Sequence, residues 1–151
     1  MFVYRDFPIP SHPNSQKAAE ASECANAQGK FWEFQDLIWA NQQALDVASL
    51  KGYAAQLGLD TATFNDCLDS GKKTSEVQKD YQAGQSYGVT GTPTFFINGL
   101  KVVGAKSFAS FQSLIDAALA GGGGGGGASP TPASSSGSSP STPAAASGGG
   151  G

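Results

Sequence analysis

The sequence predicts an α/β domain followed by a low-complexity tail, and three observations carry that expectation. An aromatic and β-branched run, FVYRDF at residues 2–7, is stopped by Pro8, Pro10 and Pro13, as a short strand would be. From about residue 14 to residue 88, apolar side chains recur at helical spacing in segments closed by glycines. After Val89 the pattern switches to two strand-like runs, TFFI at 94–97 and LKVV at 100–103, separated by Asn98-Gly99. Both of those turn residues accept positive φ, which makes the pair a strong hairpin signal.

The elements follow in order. In the first run, Phe2 and Tyr4 alternate with Val3 and Phe7, so both faces are apolar, as in a strand covered by helices on each side. Asn14 or Ser15 is positioned to cap a helix through Gln28, with Ala18, Ala21 and Ala25 on one stripe and Gly29 as the stop. The next helix repeats Phe31, Phe34 and Ile38 at 3, 4 spacing with Trp32 and Trp39 alongside, a broad face expected to be the main contributor to the core. Leu50, Tyr53, Ala54 and Leu57 mark a short helix ended by Gly58, and Asp60 caps another that carries Phe64, Cys67 and Leu68 to Gly71. Residues 73–87 continue helical with Val77, Tyr81 and Tyr87. After the hairpin, residues 107–119 form an amphipathic helix whose Phe108, Phe111, Leu114, Ile115 and Leu119 are expected to cover one face of it.

Residues 121–151 hold 12 Gly, 8 Ser, 5 Ala, 4 Pro and 2 Thr and nothing else. With no side chain to bury against the roughly 1–2 kcal/mol per residue that backbone ordering costs, this stretch is expected to be a disordered tail. Residues 1–120 are then the one folding domain, and they carry all the charge. A net charge of −3, with nine scattered basic residues, leaves no basic stripe and points away from nucleic acid. No apolar run approaches the roughly 20 residues that span a bilayer, and the first residues lack the features of a secretory signal. One histidine and two cysteines fall short of a zinc cluster, and no cofactor is implied.

The stretches VYRDFPI (3–9), His12-Pro13 before an Ala-rich helix, AQGKFWEFQDLIWANQ (27–42), LGLD (57–60), CLDSGK (67–72) and GVTGTPTFFING (88–99) together resemble the DsbA-like thioredoxin-fold thiol-disulfide oxidoreductases. The resemblance covers residues 2 to about 119, the C-terminal two thirds of that family's pattern. It implies a thioredoxin-like fold with a helical insertion at about 14–88, lacking the first strand-helix portion, and then a cis-proline loop, hairpin and last helix at 89–119. By position the cis proline is Pro93, and the implied role is substrate binding: Thr92 offers its backbone to an extended segment of a thiol-containing or unfolded protein. Read from residues alone, Pro93 serves equally to start a strand, where a missing N–H is harmless. A related branch with the same insertion, the kappa-class glutathione transferases, usually shows Val-Pro at this loop, and Thr92-Pro93 departs from it.

The redox Cys-x-x-Cys of the family does not occur in the chain. A reactive thiol needs a helix N-terminus or a nearby cation to lower its pKa. Cys24 and Cys67 each fall inside an apolar helical stripe, so they are either two small buried hydrophobes or a structural disulfide between helices of the insertion. No catalytic residue is assigned. His12 reads as a solvated loop residue, Arg5 and Asp6 as local solubilising charges at a strand end, and Trp32 and Trp39 as core aromatics.

These observations lead to the expectation of a fragment of an exported DsbA-like oxidoreductase, Met1 being an internal methionine. The chain is expected to be inactive alone, and its partners would be protein substrates and a redox partner protein. The alternative is a non-catalytic, chaperone-like peptide-binding module that keeps Thr92-Pro93 and needs no cysteines.

Overall fold

The computed structural model describes residues 1–121. Five helices come first: α1 (Ser15–Asn26), α2 (Phe31–Ala40), α3 (Val47–Gln56), α4 (Thr61–Asp69) and α5 (Thr74–Ser86). Two strands, β1 (Thr94–Ile97) and β2 (Leu100–Val103), pair antiparallel with Ile97 opposite Leu100 and Thr94 opposite Val103, and α6 (Phe108–Gly121) follows. Asn98 and Gly99 make the turn with φ of 49° and 86°, the positive values that a two-residue hairpin requires.

Local chemistry explains most boundaries. The Asp46 carboxylate caps α3 by accepting from the N–H groups of Ala48 and Ser49 at 3.0 and 3.1 Å, and Asp60 caps α4 through the N–H of Thr63 at 2.7 Å. Neither candidate cap of α1 acts as one. Instead the Ser15 hydroxyl donates to the carbonyls of Ile9 and His12 at 2.9 and 2.8 Å, which ties the proline loop to the helix it precedes.

The core belongs to the helices, and α1 is its axis. Ala18, Ala21, Cys24 and Ala25 are small, so α2, α3, α4 and α5 can all pack against this one helix. Phe34, Leu50, Ala54, Phe64 and Leu68 fill the space between them, with the Phe34 and Phe64 rings 5.5 Å apart. The sulfurs of Cys24 on α1 and Cys67 on α4 are bonded at 1.99 Å, with Cα atoms 6.0 Å apart. The expectation that α2 leads the core is corrected: it buries only Phe31, Phe34 and Gln35. Trp32 and Trp39 are 52% and 64% exposed, because α2 covers one side of the layer and its second apolar stripe faces no other element.

The predicted strand at residues 2–7 does not form. The only sheet among the described residues is the β1–β2 pair, so this segment has no ladder to join, and Phe2, Val3 and Tyr4 are exposed rather than covered on both faces. It docks by side chains instead. The Asp6 N–H donates to Asp80 on α5 at 3.2 Å, Arg5 pairs with the other oxygen of the same carboxylate at 2.9 Å, and Phe7 lies 4.7 Å from the Tyr81 ring. Gly84 permits this contact, since a Cβ there would fall 2.7 Å from the Phe7 ring.

The last helix also departs from expectation. Phe111 meets Phe95 of β1 at 4.7 Å, but no residue of α6 is buried, and Phe108 is 82% exposed. The tail expected at 121–151 lies outside the described residues beyond Gly121.

Candidate functional site

The loop between α5 and β1 is built by hydrogen bonds to its own backbone. The Thr94 hydroxyl donates to the Gly91 carbonyl at 2.7 Å, and the Gly104 N–H donates to the Pro93 carbonyl at 2.8 Å, which extends the hairpin ladder by one pair. The Thr92-Pro93 peptide is cis, and both residues are exposed. In an antiparallel pair, hydrogen-bonded and non-hydrogen-bonded positions alternate. With Pro93 facing Gly104, the amides of Phe95 and Ile97 also face β2, so those of Thr94 and Phe96 face away. Among the described residues β1 pairs with β2 alone, so these groups have no strand partner there.

The other candidates lie elsewhere. Cys24 and Cys67 are buried in the helical layer and bonded to each other, so the described residues contain no free thiol. His12 is exposed in the proline loop. Arg5 pairs with Asp80 rather than with its neighbour Asp6.

Sequence reasoning missed the buried acids. Asp6 is 3% exposed, and burial first, then the charges of Glu23, Asp80 and Glu76, push its carboxyl up to about 7. Glu20 on α1 shows the opposite outcome. Burial alone would raise its pKa, but Lys17 at 2.6 Å, Gln16 at 2.9 Å and Thr74 at 2.9 Å all donate to it, and the net effect lowers it. The difference is hydrogen-bond supply. Glu20 had a signal in Gln16 and Lys17 within one helical turn, whereas the burial of Asp6 depends on α5, more than 70 residues away.

A short helical layer attached to a β-hairpin that opens on a cis proline is thioredoxin-like architecture with a helical insertion. The family model of the DSBA-like thioredoxin domain matches residues 4–116, and the chain belongs to that family. A thioredoxin-like oxidoreductase from Silicibacter pomeroyi DSS-3 superposes with a TM-score of 0.63 at 26% identity, covering 78% of this chain and 68% of that one. Among curated proteins, the chain is 38% identical over 121 residues to Na(+)/H(+) antiporter NhaA 1 of Salinispora arenicola, covering 80% of this chain and 19% of the relative. It is 37% identical over 113 residues to Na(+)/H(+) antiporter NhaA of Herminiimonas arsenicoxydans, covering 75% and 18%. The chain thus spans about a fifth of the length of these relatives. No described helix is long and apolar enough to cross a membrane.

Proposed function

We propose that this chain is the substrate-holding part of an exported DsbA-like thiol-disulfide oxidoreductase. In this reading Thr92 and Pro93 hold an extended segment of a thiol-containing protein, and the dithiol that exchanges with it lies outside these residues. The observation that carries it is the exposed Thr92-Pro93 peptide at the start of the hairpin. Thr92 and Pro93 are both exposed at the head of β1, where the Thr92 backbone can pair with an extended peptide. Disulfide exchange also needs a thiolate, and Cys24 and Cys67 are unsuited because they are buried and bonded to each other. A redox partner protein would then recharge the exchanging dithiol.

The same pair of bonded cysteines supports the second reading, a peptide-binding module with no redox step of its own. One experiment separates both from independent catalysis. The chain alone is expected to bind an unfolded, cysteine-containing peptide while giving no insulin reduction above background. Turnover that disappears in Cys24→Ser or Cys67→Ser would overturn both readings, and absence of peptide binding would overturn the role of Thr92 and Pro93.

A further inference from the structure

The loop that carries Thr92 and Pro93 is held at both ends from β2 and the residue that follows it. At its far end the N–H of Gly104, just after β2, donates to the Pro93 carbonyl at 2.8 Å. At its near end the ammonium of Lys101, the second residue of β2, donates to the Gly88 carbonyl at 3.0 Å. Gly88 stands just beyond α5, four positions before Thr92, with a φ of 70°. A Cβ there would lie 3.4 Å from the Lys101 nitrogen, so a glycine leaves room for the ammonium.

The same bond gives the end of α5 a cation that its own sequence lacks. The C-terminal end of a helix carries carbonyls without partners and the negative end of the dipole, so positive charge is favoured there. The last turn of α5 contains no basic residue, and Lys101 reaches that end from β2. Phe96 stands opposite Lys101 in the hairpin, hence on the same face, and its ring meets that of Tyr87 at 5.9 Å. Both rings are exposed, so this contact alone leaves the angle between α5 and the hairpin free. Among the described residues, the bond from Lys101 to Gly88 is the one hydrogen bond that joins the helical layer to the hairpin and α6.

We propose that Lys101 is a positioning residue for the peptide-holding loop: by bonding Gly88 it fixes the end of α5 against the hairpin and presents the Thr92 backbone to an extended peptide in one orientation. This rests on the reading of Thr92 and Pro93 as the site that holds the peptide. Lys101 acts by removing freedom that the loop would otherwise lose on binding, and needs no contact with the peptide itself. An arginine can make the same bond, whereas a methionine of similar length has no donor.

The test compares the full, isotope-labelled chain with its Lys101→Met and Lys101→Arg variants. The probe is an extended peptide with no charged side chain and one S-carboxamidomethylated cysteine, so that attraction between charges does not enter. Lys101→Met is expected to weaken binding about fivefold, the equivalent of one hydrogen bond, and to shift the amide resonances of residues 88–94. Lys101→Arg should restore both. The thermal midpoint of the helical circular dichroism signal should be the same in all three, because Lys101 lies outside the helical layer. Unchanged loop amides or unchanged affinity in Lys101→Met would overturn the proposal. So would a Lys101→Arg variant that behaves like Lys101→Met, or a loss of affinity matched by a fall in the midpoint. If the parent chain binds no peptide, the reading of the site fails instead, and the loop amides alone decide whether Lys101 places the loop.

Discussion

The helical layer and the hairpin unit of this protein treat their apolar residues in opposite ways. In the layer, Phe34, Leu50, Phe64, Leu68 and Val77 are fully buried around the small-residue stripe of α1, and a disulfide ties α1 to α4. In the hairpin unit, Val102 is the one buried apolar residue among those described, while Phe96, Leu100, Val103, Phe108, Ile115 and Leu119 face outward. Both parts have amphipathic elements of similar quality in sequence. What differs is the number of neighbours: α1 is flanked by four helices, whereas among the described elements α6 touches only β1. An apolar stripe becomes a core only where another element arrives to cover it, so stability should be concentrated in the helices and recognition in the hairpin.

The strongest way to break this comparison is to remove the covalent tie. Cys24 and Cys67 close a loop of 43 residues. Constraining the unfolded chain over such a loop stabilises by about 4 kcal/mol in the chain-entropy account. Cys24→Ala/Cys67→Ala is therefore expected to lower the unfolding free energy, followed by the helical circular dichroism signal in denaturant, by that order. A loss below about 1 kcal/mol would mean that stability does not reside chiefly in the disulfide-tied layer.

The next largest effect is expected at Asp6, and its sign can be worked out. The folded pKa, about 7, lies above the ordinary 3.8, so the native state holds a proton there that the unfolded chain has already released. Stability is then greatest below about pH 4, falls as the pH rises toward 7, and levels off above it. Asp6→Asn removes this dependence. The variant is expected to match the parent near pH 4 and to exceed it by roughly 2–4 kcal/mol at pH 8, less whatever the new amide loses in packing. Urea denaturation of both proteins across that range measures the difference, and a constant gap would show that Asp6 is solvated.

The sequence made the helical layer legible because its cues are local. Glycine stops, the aspartate at 60, and the Ala18-Ala21-Ala25 stripe each act within a turn or two, and Asn98-Gly99 specifies its own hairpin. The failures involve partners far along the chain. FVYRDF has strand composition, but a strand is defined by its neighbour, and none is present among the described residues. Trp32 and Trp39 have core spacing but sit where no further helix packs. At the candidate site, Gly-Thr-Pro followed by TFFI marked the loop, whereas the burial of Asp6 was invisible because it depends on α5, far along the chain.

The smallest effect expected is the most direct check on the hairpin side. Phe108 opens α6 and is almost wholly in solvent, so truncating it removes little buried area. Alanine is also the better helix former, by a few tenths of a kcal/mol. Phe108→Ala should therefore change the unfolding free energy by no more than about 0.5 kcal/mol in either direction. By contrast, Phe64→Ala in the fully packed layer should cost about 3–5 kcal/mol. If Phe108→Ala instead cost more than about 1 kcal/mol, the ring would have to be covered in solution. A dependence of the melting temperature on protein concentration, lost in the variant, would then identify a second copy of the chain as the cover and end the contrast between the two regions.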